Sequence, residues 1–159
     1  GYTAKVAGTE KDVTEPQATF SSCFGAPFLP LHPSKYAQLL RERVVQNGTR
    51  VWLVNTGWIG GAAGSIPRVD LSHTRTIVTA ALGGQLDNVD YTTDSIFGLS
   101  MPKSCPDVPG NILNPVNLWE DQKEFESKAK ELASRFNENF KQYADQTSKE
   151  ILSAGPKVS

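Results

Sequence analysis

The sequence lacks both of the glycine-rich fingerprints that bind nucleotide phosphates by themselves. Neither a Gly-x-x-x-x-Gly-Lys-Ser/Thr loop nor a Gly-x-Gly-x-x-Gly segment occurs among the 159 residues, so no P-loop and no dinucleotide-binding turn is predicted. Histidines and cysteines are also scarce. The full set is Cys23, Cys105, His32 and His73, and these four residues stand far apart in the sequence. Their spacing favours reduced cysteines and no metal site within this chain.

The charge balance and the hydropathy argue against nucleic-acid and membrane partners. Sixteen basic and seventeen acidic residues give a net charge of -1, and no long basic run is present. No apolar run approaches the length of a membrane span. The 38% apolar content, with 13 glycines and 10 prolines, is typical of a loop-rich piece that depends on other structure. The opening at Gly1 reads as mid-protein, so we expect residues 1–159 to be a single region of a larger protein. The closing Lys157-Val158-Ser159 is not the peroxisomal Ser-Lys-Leu address, so the expected location is the cytoplasm.

A glycine-rich stretch, residues 57–74, is the most informative segment present. It follows an apolar run, residues 50–55, which we predict to be a strand buried on both faces. It precedes a predicted helix over residues 72–82, with Asp70 or Ser72 as its cap. A strand, a glycine-rich loop and a helix commonly build a nucleotide site, and Arg68 offers a planar cation to it. The same pattern also suits a connection that merely covers a sheet edge.

Periodicity and turn signals predict an α/β fold with a mixed sheet and flanking helices. Further helices are expected over residues 33–46, ending at Asn47-Gly48, and over residues 119–143. A short strand is expected over residues 96–99. The predicted buried positions are Phe20, Cys23, Phe24, Phe28 and Leu29, then Ile77, Val78, Ala81 and Leu82, and finally Phe125, Ala129, Leu132, Phe136, Phe140 and Tyr143.

Other reactive side chains have ordinary structural interpretations. The carboxylates Asp87, Asp90, Asp94, Glu120 and Asp121 are scattered over loops and a helix end, which favours a solvated surface over an acid/base pair. Ser21-Ser22-Cys23 fits a packed turn better than a nucleophile. Trp52 precedes the glycine-rich stretch and Trp58 lies at its start; for both, core packing is the default and base stacking the alternative.

Several runs resemble the ATP-dependent phosphoenolpyruvate carboxykinases. They cover nearly the whole chain, in the family's order: residues 1–10, Thr14-Glu15-Pro16, residues 20–25, Leu31-His32-Pro33, Asn55-Thr56-Gly57-Trp58, Leu86-Asp87-Asn88, Leu113-Asn114-Pro115 and Ala154-Gly155-Pro156. The resemblance is to the C-terminal part of that enzyme. It implies a place in the C-terminal nucleotide-binding lobe of the carboxykinase fold.

The resemblance also implies a reaction and a set of contacts. The family converts oxaloacetate and ATP to phosphoenolpyruvate, ADP and CO2, a step of gluconeogenesis, with Mg2+ and Mn2+ bound by upstream parts of the enzyme. Contacts to the nucleotide base and ribose fall on Arg68, Val69 and Thr74. No catalytic residue and no metal ligand falls on this chain, so the chain alone is expected to be inactive and to need the N-terminal part of the same protein.

Two departures from the family pattern accompany this resemblance. The family usually has Gly-Lys before the arginine, where this chain has Ile66-Pro67, and an arginine is common where this chain has Val116. Proline fixes its own φ and restricts the residue before it, so the approach of Arg68 can differ. The alternative function is a remnant that binds a nucleotide or a protein without catalysis.

Overall fold

The computed structural model of the chain describes residues 2–5, 12, 14, 17–20, 25–55, 57–62 and 65–158. Its elements in chain order are β1 (Tyr2–Lys5), β2 (Gln17–Phe20), α1 (Pro33–Asn47), α2 (Leu71–Leu82), β3 (Tyr91–Thr93), β4 (Ser100–Pro102), α3 (Gly110–Leu113), α4 (Gln122–Phe140) and α5 (Lys149–Ser153). Three 3-10 segments cover Ala26–Phe28, Pro115–Leu118 and Lys141–Gln146. The named strands form two antiparallel pairs, β1 with β2 and β3 with β4. Helices combined with small sheets are consistent with the predicted α/β class, but the described strands pair only antiparallel and form no mixed sheet.

The chain divides into two compact units. The first unit contains residues 1–51 and 135–155, and the second contains residues 52–134 and 156–159. Among the helices that the structure describes, none combines the length and the apolar content that a bilayer crossing requires.

Helix α1 of the first unit follows its local signals. His32 Nδ1 accepts a hydrogen bond from the Ser34 N–H at 3.3 Å at its start, and Pro33 occupies the first turn. Gly48, in the left-handed region at φ 58°, ends the helix. The predicted helix over residues 33–46 is therefore confirmed within one residue. On α1, Leu40 stays 64% exposed.

Helix α2 of the second unit begins and ends where the sequence predicts. Asp70 is its cap, with its Oδ1 accepting from the Ser72 N–H at 2.7 Å, and Gly83 follows its last residue. One side packs into the core of this unit, which contains Ala80, Leu86, Cys105 and Val108. Leu82 is 84% exposed, so its assignment to the buried stripe is wrong. It lies in the last turn, past the part of the helix that reaches the core.

Helix α4 is shorter than predicted. It begins after Asp121, whose Oδ1 accepts from the N–H groups of Lys123 at 2.7 Å and Glu124 at 3.3 Å, and a carboxylate in that role caps a helix. The chain tightens into a 3-10 segment after Phe140. All six members of the predicted apolar stripe are buried or half-buried, as expected: Phe125, Ala129, Leu132, Phe136, Phe140 and Tyr143.

Two predicted strands are wrong. Residues 50–55 have no strand pairing, and Val51 and Leu53 are 64% and 77% exposed. A strand buried on both faces needs neighbouring strands and covering layers. No described strand pairs with this segment, and its side chains are exposed apart from Trp52, which packs against the core of the second unit. Residues 95–97 form a turn because Asp94 Oδ1 accepts from the backbone N–H groups of Ile96 and Phe97.

The predicted anchors of the N-terminal region have mixed outcomes. Phe20 is half-buried and meets the Phe136 ring edge-on at a centroid distance of 5.3 Å. Phe28 and Leu29 are 86% and 37% exposed, so their prediction as buried anchors is wrong. They lie at the end of a short 3-10 segment that no described layer covers. Cys23 and Phe24 lie outside the described residues.

Candidate nucleotide-contacting loop

The described residues between 57 and 70 lie in a loop whose two ends are tied together. The Val69 N–H donates to the Gly57 carbonyl oxygen at 2.7 Å. Gly57 is buried and has φ 132°, a backbone conformation that residues other than glycine rarely adopt. The backbone conformation therefore explains why a glycine stands at this position. The bond brings the loop back to its starting point directly before α2.

The N-terminal end of the loop packs against the segment that precedes α4. Trp119 Nε1 donates to the Ile59 carbonyl oxygen at 3.1 Å. A Cβ on Gly60 would lie 3.0 Å from the Leu118 carbonyl oxygen and 3.1 Å from the Leu118 Cβ. Gly60 therefore allows a close approach of two backbones, and the loop is fixed on a second side.

Arg68 lies over an aromatic ring of the same loop. Its guanidinium carbon is 5.4 Å from the centroid of the Trp58 ring, within the range of a cation–π interaction. Arg68 is exposed and Trp58 is half-buried. The arginine therefore presents its cation to solvent from an apolar support.

Val69 offers less to a base than the sequence alone implies, whereas Thr74 keeps its hydroxyl available. The Val69 N–H is already bonded to Gly57, so its contribution would come from its carbonyl oxygen or side chain. Thr74 lies in the first turn of α2, and its hydroxyl is 3.5 Å from the Asp70 carbonyl oxygen. That distance is the weak limit of a hydrogen bond, so this hydroxyl can turn toward a ligand.

The N-terminus of α2 is occupied by a carboxylate. Two hydrogen bonds lower the pKa of Asp70: the larger effect comes from the Ser72 side chain and the smaller from the Ser72 backbone N–H. The charge of the nearby His73 lowers this pKa further. A helix N-terminus attracts anions such as phosphate, but here the Asp70 side chain already fills that position. The loop therefore suits the base end of a nucleotide better than its phosphates.

The remaining candidate residues are not brought into one site. Asp94 and Asp121 cap a turn and a helix, which is a structural role. In the part of the chain that the structure describes, no group of three or more His, Cys, Asp or Glu side chains could hold a metal ion. Cys105 is 6% exposed, and burial, followed by the charge of Asp107, raises the pKa of its thiol. Ser21-Ser22-Cys23 lies outside the described residues.

Two features of the loop escaped the sequence analysis. The anchoring of Ile59 by Trp119 joins residues 60 positions apart, and no spacing pattern signals such a contact. The placement of Trp58 beneath Arg68 was also missed. The only sequence feature that indicated this contact was the presence of a tryptophan and an arginine in one glycine-rich loop.

Comparison with known proteins adds the family context. Residues 1–111 match the family described as phosphoenolpyruvate carboxykinase. Proteins named phosphoenolpyruvate carboxykinase (ATP) are 57% identical over 157 residues in Caldanaerobacter subterraneus subsp. tengcongensis and 54% identical over 156 residues in Flavobacterium johnsoniae. A third, from Thermus thermophilus, is 51% identical over 158 residues. The matches cover 98–99% of this chain but 29–30% of each relative, so the chain spans under a third of their length.

Proposed function

Since the chain belongs to the family of ATP-dependent phosphoenolpyruvate carboxykinases, we propose that it is part of the C-terminal nucleotide-binding lobe of such an enzyme. The reaction proposed for the whole protein is the conversion of oxaloacetate and ATP to phosphoenolpyruvate, ADP and CO2. Mg2+ and Mn2+ are proposed to be bound by upstream parts of that protein, as the resemblance to the family implies. A cytoplasmic location is part of the proposal and is open to cell fractionation.

The observation that carries the proposal is the support of Arg68 by Trp58. A guanidinium held 5.4 Å from the indole centroid and exposed to solvent can stack on an adenine ring. Val69 follows Arg68 directly in the sequence, and Thr74 lies on the first turn of α2. Together they give the base end a cation, a backbone carbonyl and a hydroxyl.

The proposed role is to position the nucleotide. Phosphoryl transfer depends on metal ions and cations around the phosphates, and the base lies away from the transferred group. Contacts to the base are made equally in the ground state and the transition state, and contacts of that kind change KM rather than kcat. The alternative of a remnant without catalysis is not favoured, since the relatives carry the name of the enzyme.

Steady-state kinetics of a hybrid enzyme would test this role. In the hybrid, this chain replaces the matching region of the Caldanaerobacter relative. Arg68→Ala should raise KM for ATP with kcat unchanged, because a lost stacking cation is worth about 0.5–2 kcal/mol, roughly a 2- to 30-fold change. Arg68→Lys should recover part of the loss, since an ammonium lacks the planar face.

Arg75→Ala is the matched control. Arg75 is an exposed arginine on α2 outside the proposed contacts, and its loss should leave KM for ATP unchanged. A collapse of kcat in Arg68→Ala with KM for ATP unaltered would place Arg68 at the reacting phosphate and contradict the proposed base site.

A further inference from the structure

Trp58 belongs to none of the proposed base contacts, yet it supports the residue at their centre. The two side chains are ten positions apart and meet because of one backbone bond. Gly57, which accepts that bond at 2.7 Å, precedes Trp58, and Val69, which donates it, follows Arg68. The bond therefore places the backbones of Trp58 and Arg68 side by side.

The backbone of Trp58 is fixed on its other side as well. Ile59, which follows it, accepts the hydrogen bond from Trp119 Nε1 at 3.1 Å. The indole is thus carried by a backbone that is anchored immediately before and immediately after it. An exposed arginine, in contrast, has many rotamers, and restricting it costs conformational entropy. A ring carried by this anchored backbone beneath the guanidinium reduces that cost before any ligand arrives.

We propose that Trp58 is a positioning residue that orients the Arg68 guanidinium for the base of ATP. The inference rests on the proposed function and deepens it. Trp58 does not touch the nucleotide but acts through Arg68, so its effect exists only while the arginine is present. An exposed cation–π contact corresponds to about a two- to fivefold change in an equilibrium constant.

The test is a double-mutant cycle in the hybrid enzyme, with ATP as the varied substrate. Trp58→Leu should raise KM for ATP about two- to fivefold, with kcat unchanged. Trp58→Phe should give a smaller rise, because phenylalanine attracts a cation less strongly than tryptophan. In the Arg68→Ala background neither substitution should raise KM further. Non-additivity of this kind identifies residues that act through one another.

Controls separate positioning from general damage to the loop. Trp52→Phe replaces a tryptophan that stacks on Tyr91 at a centroid distance of 6.4 Å and packs against the core of the second unit, so KM for ATP should be unchanged. Thermal midpoints are measured for every variant. If Trp58→Leu does not fold, Trp58→Phe, which retains an aromatic ring, carries the cycle alone.

Each outcome supports or overturns the proposal. Equal KM increases with Arg68 present and in the Arg68→Ala background would show that Trp58 acts on the loop and not through the arginine. A fall in KM would show that the indole competes with the base for the guanidinium. Unchanged KM in the Trp58 variants, when Arg68→Ala does raise it, would overturn this inference and leave the proposed function standing. Unchanged KM in Arg68→Ala itself would overturn both.

Discussion

Replacing Gly60 by alanine should destabilise the loop through one close backbone contact. The added Cβ would lie 3.0 Å from the Leu118 carbonyl oxygen and 3.1 Å from the Leu118 Cβ, closer than ordinary van der Waals contact. Neither atom lies at the end of a flexible side chain, so the backbone itself must shift. Overpacking of this kind costs about 1–3 kcal/mol.

A second glycine in the same unit separates the packing cost from the effect of the substitution on the unfolded chain. Glycine-to-alanine changes stiffen the unfolded chain and stabilise the protein by about 0.4–1 kcal/mol where the conformation allows alanine. A Cβ on Gly110 would meet no atom closer than the Lys103 carbonyl oxygen at 3.9 Å. The difference between Gly60→Ala and Gly110→Ala therefore measures the contact with Leu118, expected at about 1–3 kcal/mol.

Urea denaturation of the isolated chain, followed by tryptophan fluorescence, is the assay. The three tryptophans, Trp52, Trp58 and Trp119, all lie in the second unit, so the signal reports on the unit that contains the loop. Gly60→Ala should have a lower midpoint than Gly110→Ala at an unchanged slope. Coincident midpoints would refute the close packing of the loop against residue 118.

Three further predictions follow from the same structure. The isolated chain should form no phosphoenolpyruvate from oxaloacetate and ATP in a coupled assay. Metals and cations around the phosphates supply most of the transition-state stabilisation in such reactions, and the residues proposed to supply them lie outside this chain. Leu86→Ala should lower the free energy of unfolding by about 2–5 kcal/mol in urea titrations, because Leu86 is 1% exposed in the core. Hydrogen bonds from Ser72 lower the pKa of Asp70 below the ordinary value of an aspartate, so its stabilisation is present above that ordinary value and is lost as pH falls through the folded value. Asp70→Asn, which caps without titrating, should therefore show a flatter loss of stability in acid melts.

Helix ends were predictable because their signals are local. Pro33 and Gly48 bound α1, and Asp70 and Gly83 bound α2, each through conformational limits or hydrogen bonds that span a few residues. Strands were not predictable in this way. A strand is completed by a partner that can lie anywhere in the chain, and residues 50–55 have the composition of a buried strand without a described partner.

The candidate site divides in the same manner. Resemblance in the sequence pointed to Arg68, Val69 and Thr74, and these remain proposals. The sequence also determined that the segment is rich in glycine and ends at a capped helix. It could not indicate that the Val69 N–H is already bonded to Gly57, which leaves that residue less to offer a base.

By itself, the sequence determined the family, the ends of α1 and α2, the apolar stripe of α4 and the absence of a phosphate-binding fingerprint. These are properties of residue order, composition and short-range hydrogen bonding. Only the tertiary structure decided that Trp58 lies beneath Arg68 and that Trp119 anchors the loop. Those contacts join residues 10 and 60 positions apart, and they exist because the folded backbone brings the two partners together.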